Sequence, residues 1–300
     1  MSDQQSVAVF GLGAMGYGMA SSLLRAGIET HGFDIVSEQM EKFQSEGGKP
    51  GPLEDAANAI SIAVVCVLNA AQTEDVMFGA KGIVPMMKNG SVVIACATVP
   101  PEFAKDMEKR CIEQGVHYLD APISGGAAKA ASGELSIMAS GTKEAFATAK
   151  PALDACAQNV FELGDAAGAG SAMKAVNQLL AGVHIATMAE ALTFGMTQGV
   201  TPDKFIEVIS QCAGSSWMLE NRAPHVAKGD YTPLSQINIW PKDLGIVLDV
   251  AKTAGFSAPI TAAALQQYMV AVGMGLGRED DAAIAKVYAR NAGLDLPGEK

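Results

Sequence analysis

The chain has little of what large, charged partners require. Lysine and arginine number 21 against 32 aspartates and glutamates, a formal net charge of −11. Nucleic acid and anionic membrane surfaces both need basic patches, so neither is expected as a partner. The five cysteines (Cys66, Cys96, Cys111, Cys156, Cys212) are scattered, odd in number and without a CxxC pair. Reduced, mostly buried thiols in a cytoplasmic protein are therefore expected. His31, His117, His184 and His225 share no metal-like spacing, so no metal site is expected. The first basic residue is Arg25, behind a strand-like run, and no signal peptide is expected. No apolar stretch reads as long enough to cross a membrane. Only 18% of the 300 residues are charged while 49% are hydrophobic, which excludes disorder and supplies cores for about two domains.

What is present begins at residue 6. A short apolar run, Val7 to Phe10, feeds a turn carrying Gly11, Gly13 and Gly16, and an apolar helical pattern follows through Met19, Leu23 and Leu24. The first glycine permits a tight turn, the second lets backbone approach a pyrophosphate, and the third lets helix and strand pack closely. Free N–H groups at the helix start then hold phosphates. A second apolar stretch, Ile28 to Phe33, ends in Asp34, where a carboxylate can accept from ribose hydroxyls. That carboxylate would repel a 2′-phosphate, and no arginine follows within ten residues to bind one, so NAD is favoured over NADP. A solvated acid at a strand end is the alternative for Asp34.

The two halves differ in period. Strand-like runs at 28–33, 61–68, 91–97 and 116–119 alternate with helical patterns near 38–45, 72–78 and 101–114, the signature of a parallel sheet covered on both faces. Further strands at 135–139 and 160–163 bracket a helix near 143–156, which ends this doubly wound domain near Asp165. A helical pattern then runs from Ser171 to Gln198 unbroken by proline, and helices follow near 202–212, 216–225, 242–254, 261–272 and 281–291. The expected fold is α/β: an N-terminal Rossmann-type doubly wound sheet over 1–165, then an all-α domain over 166–300, joined by one long helix. The α-domain's Ala, Met and Leu content suggests a face buried in a second copy, as a homodimer or homotetramer.

Four further segments could carry chemistry. Ser124-Gly125-Gly126, after a strand end at Asp120, offers a hydroxyl and two backbone N–H groups that could cradle a carboxylate; an ordinary glycine turn fits as well. Lys174, Asn177 and Gln178 stand at i, i+3 and i+4 on one helix face, where a lysine near the N-terminus opposes the dipole and deprotonates more easily; a solvated stripe is the alternative. Lys242-Asp243 opens a later helix, as a functional lysine or a surface one. Thr98, at another strand end, could reach the nicotinamide or could cap the helix starting at Pro100-Pro101.

Together these segments resemble the β-hydroxyacid dehydrogenase family along essentially the whole chain. Gly11-Leu12-Gly13-Ala14-Met15-Gly16 looks like its cofactor loop and Asp120 to Gly126 like its substrate segment. Gly168 to Lys174 looks like its catalytic motif, and Lys242-Asp243-Leu244 like its late lysine motif. Segments at 67–74, 178–184, 216–222 and 277–281 are similar to the branch that oxidises the C2 hydroxyl of L-threonate with NAD. Gln178 departs from a frequent asparagine, and Pro241 from an expected aliphatic residue. The resemblance implies Lys174 as general acid/base, and Ser124, Gly125, Gly126, Asn177 and Gln178 around a small anionic hydroxy acid. It places the 11–16 loop, Asp34, Asn69, Thr98 and Lys242 on the cofactor. Within the family 3-hydroxyisobutyrate and tartronate semialdehyde are the rival substrates; outside catalysis the rival is a dinucleotide-sensing interaction protein.

Overall fold

The computed structural model describes residues 6–298, and the chain divides into two compact units, the first ending at Lys174 and the second beginning at Ala175. In the first unit β1 (Ser6–Phe10), α1 (Ala14–Arg25), β2 (Glu29–Phe33), α2 (Ser37–Ser45), a one-turn α3 (Leu53–Ala56), β3 (Ile60–Val65), α4 (Ala70–Phe78), β4 (Val92–Ala95), α5 (Pro101–Glu113) and β5 (His117–Asp120) follow in order. The five strands form one parallel sheet in the order β2-β1-β3-β4-β5. Alternate residues feed opposite faces. Val7, Val9, Ile62, Val64, Val92 and Ile94 belong to one apolar cluster, and Ala8, Phe10, Ala63, Val65, Val93 and Tyr118 to the other. Burial on both sides explains why the strands read as continuous apolar runs. The order reverses between β1 and β3, and ligands of such sheets lie beyond the strand ends at that switch.

The strands at 135–139 and 160–163 were expected within this domain, but they do not extend its sheet. β6 (Ile123–Ser124), β7 (Leu135–Ala139) and β8 (Ala157–Glu162) make a separate three-stranded sheet, β6 antiparallel and β8 parallel to β7. α6 (Gly126–Ser132) and α7 (Lys143–Cys156) connect them. β6 and α6 are too short to show a period in sequence.

α8 (Ala169–Thr197) starts in the first unit and continues into the second, where α9 (Pro202–Ile209), α10 (Trp217–Lys228), α11 (Ile239–Thr253), α12 (Pro259–Gly273), a 3₁₀ turn (Asp281–Ile284) and α13 (Ala285–Ala292) follow. Gly182 of α8 lies close to Leu244 and Trp240 of α11, whose side chains would clash with any Cβ there. Tyr268 of α12, fully buried, donates its hydroxyl to Gly182 O at 2.9 Å. Beside this core Arg222 Nε meets Asp281 Oδ1 at 2.5 Å and Trp240 Nε1 donates to Asp281 Oδ2 at 3.1 Å.

One expectation needs correcting. α8, 29 residues with a mean hydropathy of 1.4 over its most apolar window, is long and apolar enough to cross a membrane. Its polar residues are spread along it, from Ser171, Lys174 and Asn177-Gln178 to His184, Glu190 and Thr193, so no continuous apolar stretch marks it in the sequence. Only 39% of that window is buried; Met173, Val176, Leu180 and Phe194 are exposed large apolar residues along it.

Candidate active site

The glycine loop sits at the switch point. Gly11 has φ +91°, and a Cβ there would collide with Cys66 O at the end of β3; a Cβ on Gly16 would collide with Gly11 O. Gly13 faces open space, and it precedes α1 without any side-chain cap or acidic first-turn residue. The first-turn N–H groups of a twelve-residue helix are thus left for an external acceptor. Leu12, Ala14 and Met15 complete the loop, Leu12 buried beneath it. Asp34 Oδ2 accepts from Leu12 N at 2.5 Å and Oδ1 from Val36 N at 2.8 Å. Each carboxylate oxygen keeps a second lone pair, so the residues fit a dinucleotide: N–H groups for phosphate, a fixed acid for the ribose. Asn69 caps α4 by accepting from Gln72 N at 2.9 Å. Thr98 is half-buried, two residues ahead of Pro100, which precedes α5 and provides no side-chain cap itself.

A second cluster gathers around Asp120, a residue that closes β5. Asp120 Oδ2 accepts from Gly168 N at 2.9 Å and from Ser171 N at 2.8 Å, and Oδ1 accepts from Ser171 Oγ at 2.6 Å. Ser140 Oγ, 3.4 Å from Oδ2, itself accepts from Gly170 N at 2.9 Å. Glu108 of α5 accepts from Ala167 N at 3.0 Å. The start of α8 is therefore pinned by side chains from β5, β7's end and α5, with a carboxylate at the positive end of the helix. Gly170 makes this approach feasible, since a Cβ there would lie 2.5 Å from Met138 O and 2.6 Å from Asp120 O. Burial raises the Asp120 carboxyl pKa above its ordinary value, against the hydrogen bonds from Ser171, Gly168 and Ser140, which lower it.

One turn into α8, Lys174 is 8% exposed and its Nζ donates to Ile123 O at 2.8 Å. The lysine amine thus lies against the segment that continues as Ser124, Gly125 and Gly126. Both glycines have positive φ, +133° and +76°, turning their backbone where other residues would be strained. In the second unit Asn177 Nδ2 donates to Gln178 Oε1 at 2.9 Å, Gln178 Nε2 donates to Asp243 Oδ2 at 2.5 Å, and Lys242 Nζ lies 2.5 Å from Asp243 Oδ1. Lys174, Gln178 and Asp243 are all buried, so the stripe on α8 is no solvated face. Asp120, Ser140, Ser171 and Asp243 carry these clusters; the sequence placed Asp120, Ser171 and Asp243 inside motif segments without an individual role, and Ser140 in none.

Two family models match the chain. "NAD binding domain of 6-phosphogluconate dehydrogenase" covers residues 6–164, and "NAD-binding of NADP-dependent 3-hydroxyisobutyrate dehydrogenase" covers residues 168–288. The L-threonate dehydrogenase of Cupriavidus necator is 50% identical over 98% of this chain and 99% of its own. The chain belongs to the 3-hydroxyisobutyrate dehydrogenase-like β-hydroxyacid dehydrogenases. Another relative, the L-threonate dehydrogenase of Haemophilus influenzae, is 43% identical over 97% of each chain. A crystal structure described as 3-hydroxyisobutyrate dehydrogenase from Salmonella typhimurium superposes with a TM-score of 0.89 at 42% identity, covering 94% of this chain and 99% of that one. As a member of this family the protein is an oxidoreductase acting on CH–OH groups of a small hydroxy acid with a nicotinamide dinucleotide.

Proposed function

We propose that this dehydrogenase oxidises the C2 hydroxyl of L-threonate with NAD, and that Lys174 is its general base. The observation that carries the chemistry is the buried Lys174 amine, bonded to Ile123 O at 2.8 Å beside Ser124. A neutral amine keeps two N–H donors, so Lys174 can stay bonded to Ile123 O while its lone pair takes the hydroxyl proton. Ser124 and the N–H groups of Gly125 and Gly126 hold the substrate carboxylate; Asn177 orients its hydroxyls, and Gln178, bonded at both amide ends within the protein, holds Asn177. The 11–16 loop, Asp34, Asn69, Thr98 and Lys242 serve the dinucleotide, whose nicotinamide, when bound, accepts the hydride from C2. The full-length identity to the two L-threonate dehydrogenases favours this acid over 3-hydroxyisobutyrate or tartronate semialdehyde, and Asp34 favours NAD over NADP.

Initial rates of nicotinamide reduction test the assignment. L-Threonate with NAD should exceed D-threonate, 3-hydroxyisobutyrate and D-glycerate, and the same acid with NADP, by at least about tenfold in kcat/KM. Faster turnover of 3-hydroxyisobutyrate would refute it. We also propose that the exposed apolar face of α8 packs against a second copy in a homodimer or homotetramer; light scattering returning the 30.9 kDa mass of one chain would remove that proposal.

A further inference from the structure

Three polar side chains of the second unit, Asn177, Gln178 and Asp243, form a hydrogen-bonded chain in which every donor points toward the carboxylate. Asp243, 2% exposed, sits at one end, ion-paired to Lys242 through Oδ1 at 2.5 Å. An ion-paired carboxylate has no proton to give and can only accept. Gln178, 7% exposed, must therefore turn its amide nitrogen to Asp243 Oδ2, at 2.5 Å, and its oxygen the other way. Asn177 answers that oxygen with Nδ2 at 2.9 Å. An amide's two ends are otherwise interchangeable, and it is such a network that decides between them. The atom left at the far end is Asn177 Oδ1, an acceptor, three residues along α8 from Lys174 and on the same helix face.

We infer that Asp243 is a positioning residue whose charge, relayed through Gln178, makes Asn177 present an acceptor, so that the enzyme selects acids bearing a second hydroxyl beside the reacting carbon. The inference rests on the proposed placement of Asn177 against the substrate. An acid that offers a hydroxyl donor there completes the chain. One with a methyl or methylene in that place leaves a carbonyl oxygen unpaired. Asp243→Asn removes the direction, because its new amide can donate as well as accept and Gln178 is free to turn over.

The test compares kcat/KM for L-threonate and for its 3-deoxy analogue, 2,4-dihydroxybutyrate. Wild-type enzyme should favour the hydroxylated acid by about tenfold, the value of one accepted hydrogen bond. In Asp243→Asn that ratio should fall close to one, and Gln178→Leu, which keeps Asp243 with Lys242, should give the same collapse. Both variants are first matched to wild type by circular dichroism, and the second keeps the test open should the first fail to fold. A role confined to holding the fold together lowers both acids in proportion, and an unchanged ratio overturns the inference. Wild-type enzyme that oxidises neither acid would refute the L-threonate assignment alone. The same ratio is then read with the acid it does oxidise and the analogue lacking the adjacent hydroxyl.

Discussion

Lys174→Ala is expected to lower kcat for the hydroxy acid by about 10²- to 10⁴-fold, the usual contribution of a positioned general base. The loss should fall on kcat more than on dinucleotide binding, because the 11–16 loop and Asp34 are held by β1, α1 and β2 without help from Lys174. Lys174→Arg should not restore the rate: a guanidinium stays protonated and has no lone pair to offer. A small amine such as methylamine, added to Lys174→Ala, should restore part of it by occupying the vacated space as a soluble base. Alanine within tenfold of wild type would remove Lys174 from the chemistry.

The second large effect concerns folding. Arg222→Ala should destabilise the helical unit by about 3–5 kcal/mol, since it strips the ion-pair partner from a carboxylate with no access to water. Asp281 is fully buried, and the Arg222 side chain is itself 9% exposed. Trp240 Nε1 and the backbone cannot neutralise the charge that remains. Burial already raises the Asp281 carboxyl pKa, opposed first by Arg222. Without the arginine it rises further, and the sign of the pH dependence follows. The penalty is present in full above the folded-state pKa, where the carboxylate is ionised. It diminishes as pH falls through that value and the group becomes neutral. Urea unfolding of the two proteins at pH 7 and pH 5 measures both effects; a difference under about 1 kcal/mol at pH 7 would show that the pair stabilises nothing.

Much of the fold was legible because its signals are local. β1, the glycine turn and Asp34 lie within 30 residues of one another and each obeys a short-range rule. The five strands of the parallel sheet read correctly because burial on both faces makes them uniformly apolar. The separate β6-β7-β8 sheet was missed for the opposite reason: β6 is two residues long, and α6 begins at the glycines that read as an open cradle. β8 alternates little and is largely exposed. The membrane-length character of α8 was missed because its polar residues interrupt every run.

The candidate site divides the same way. Gly11 to Gly16, Ser124 to Gly126, Lys174, Asn177 and Lys242 stand out as residue types in patterns. Asp120 and Asp243 fall inside such patterns, but what they do does not show there, because their partners are distant in sequence: Asp120 meets Gly168 and Ser171 across 48 and 51 positions, and Asp243 meets Gln178 across 65. Asp120 did carry a signal, closing a strand ahead of the glycines. What the sequence could not supply was the helix start that it holds.

The measurement closest to the central claim is the fate of the C2 hydrogen. L-Threonate carrying deuterium at C2 is incubated with NAD and the protein, and the reduced dinucleotide is weighed. One deuterium gained per turnover, with the labelled dinucleotide formed about 10²- to 10⁴-fold more slowly by Lys174→Ala, is the predicted result. Reduced dinucleotide of unlabelled mass, or no reduction by L-threonate at all, would contradict it.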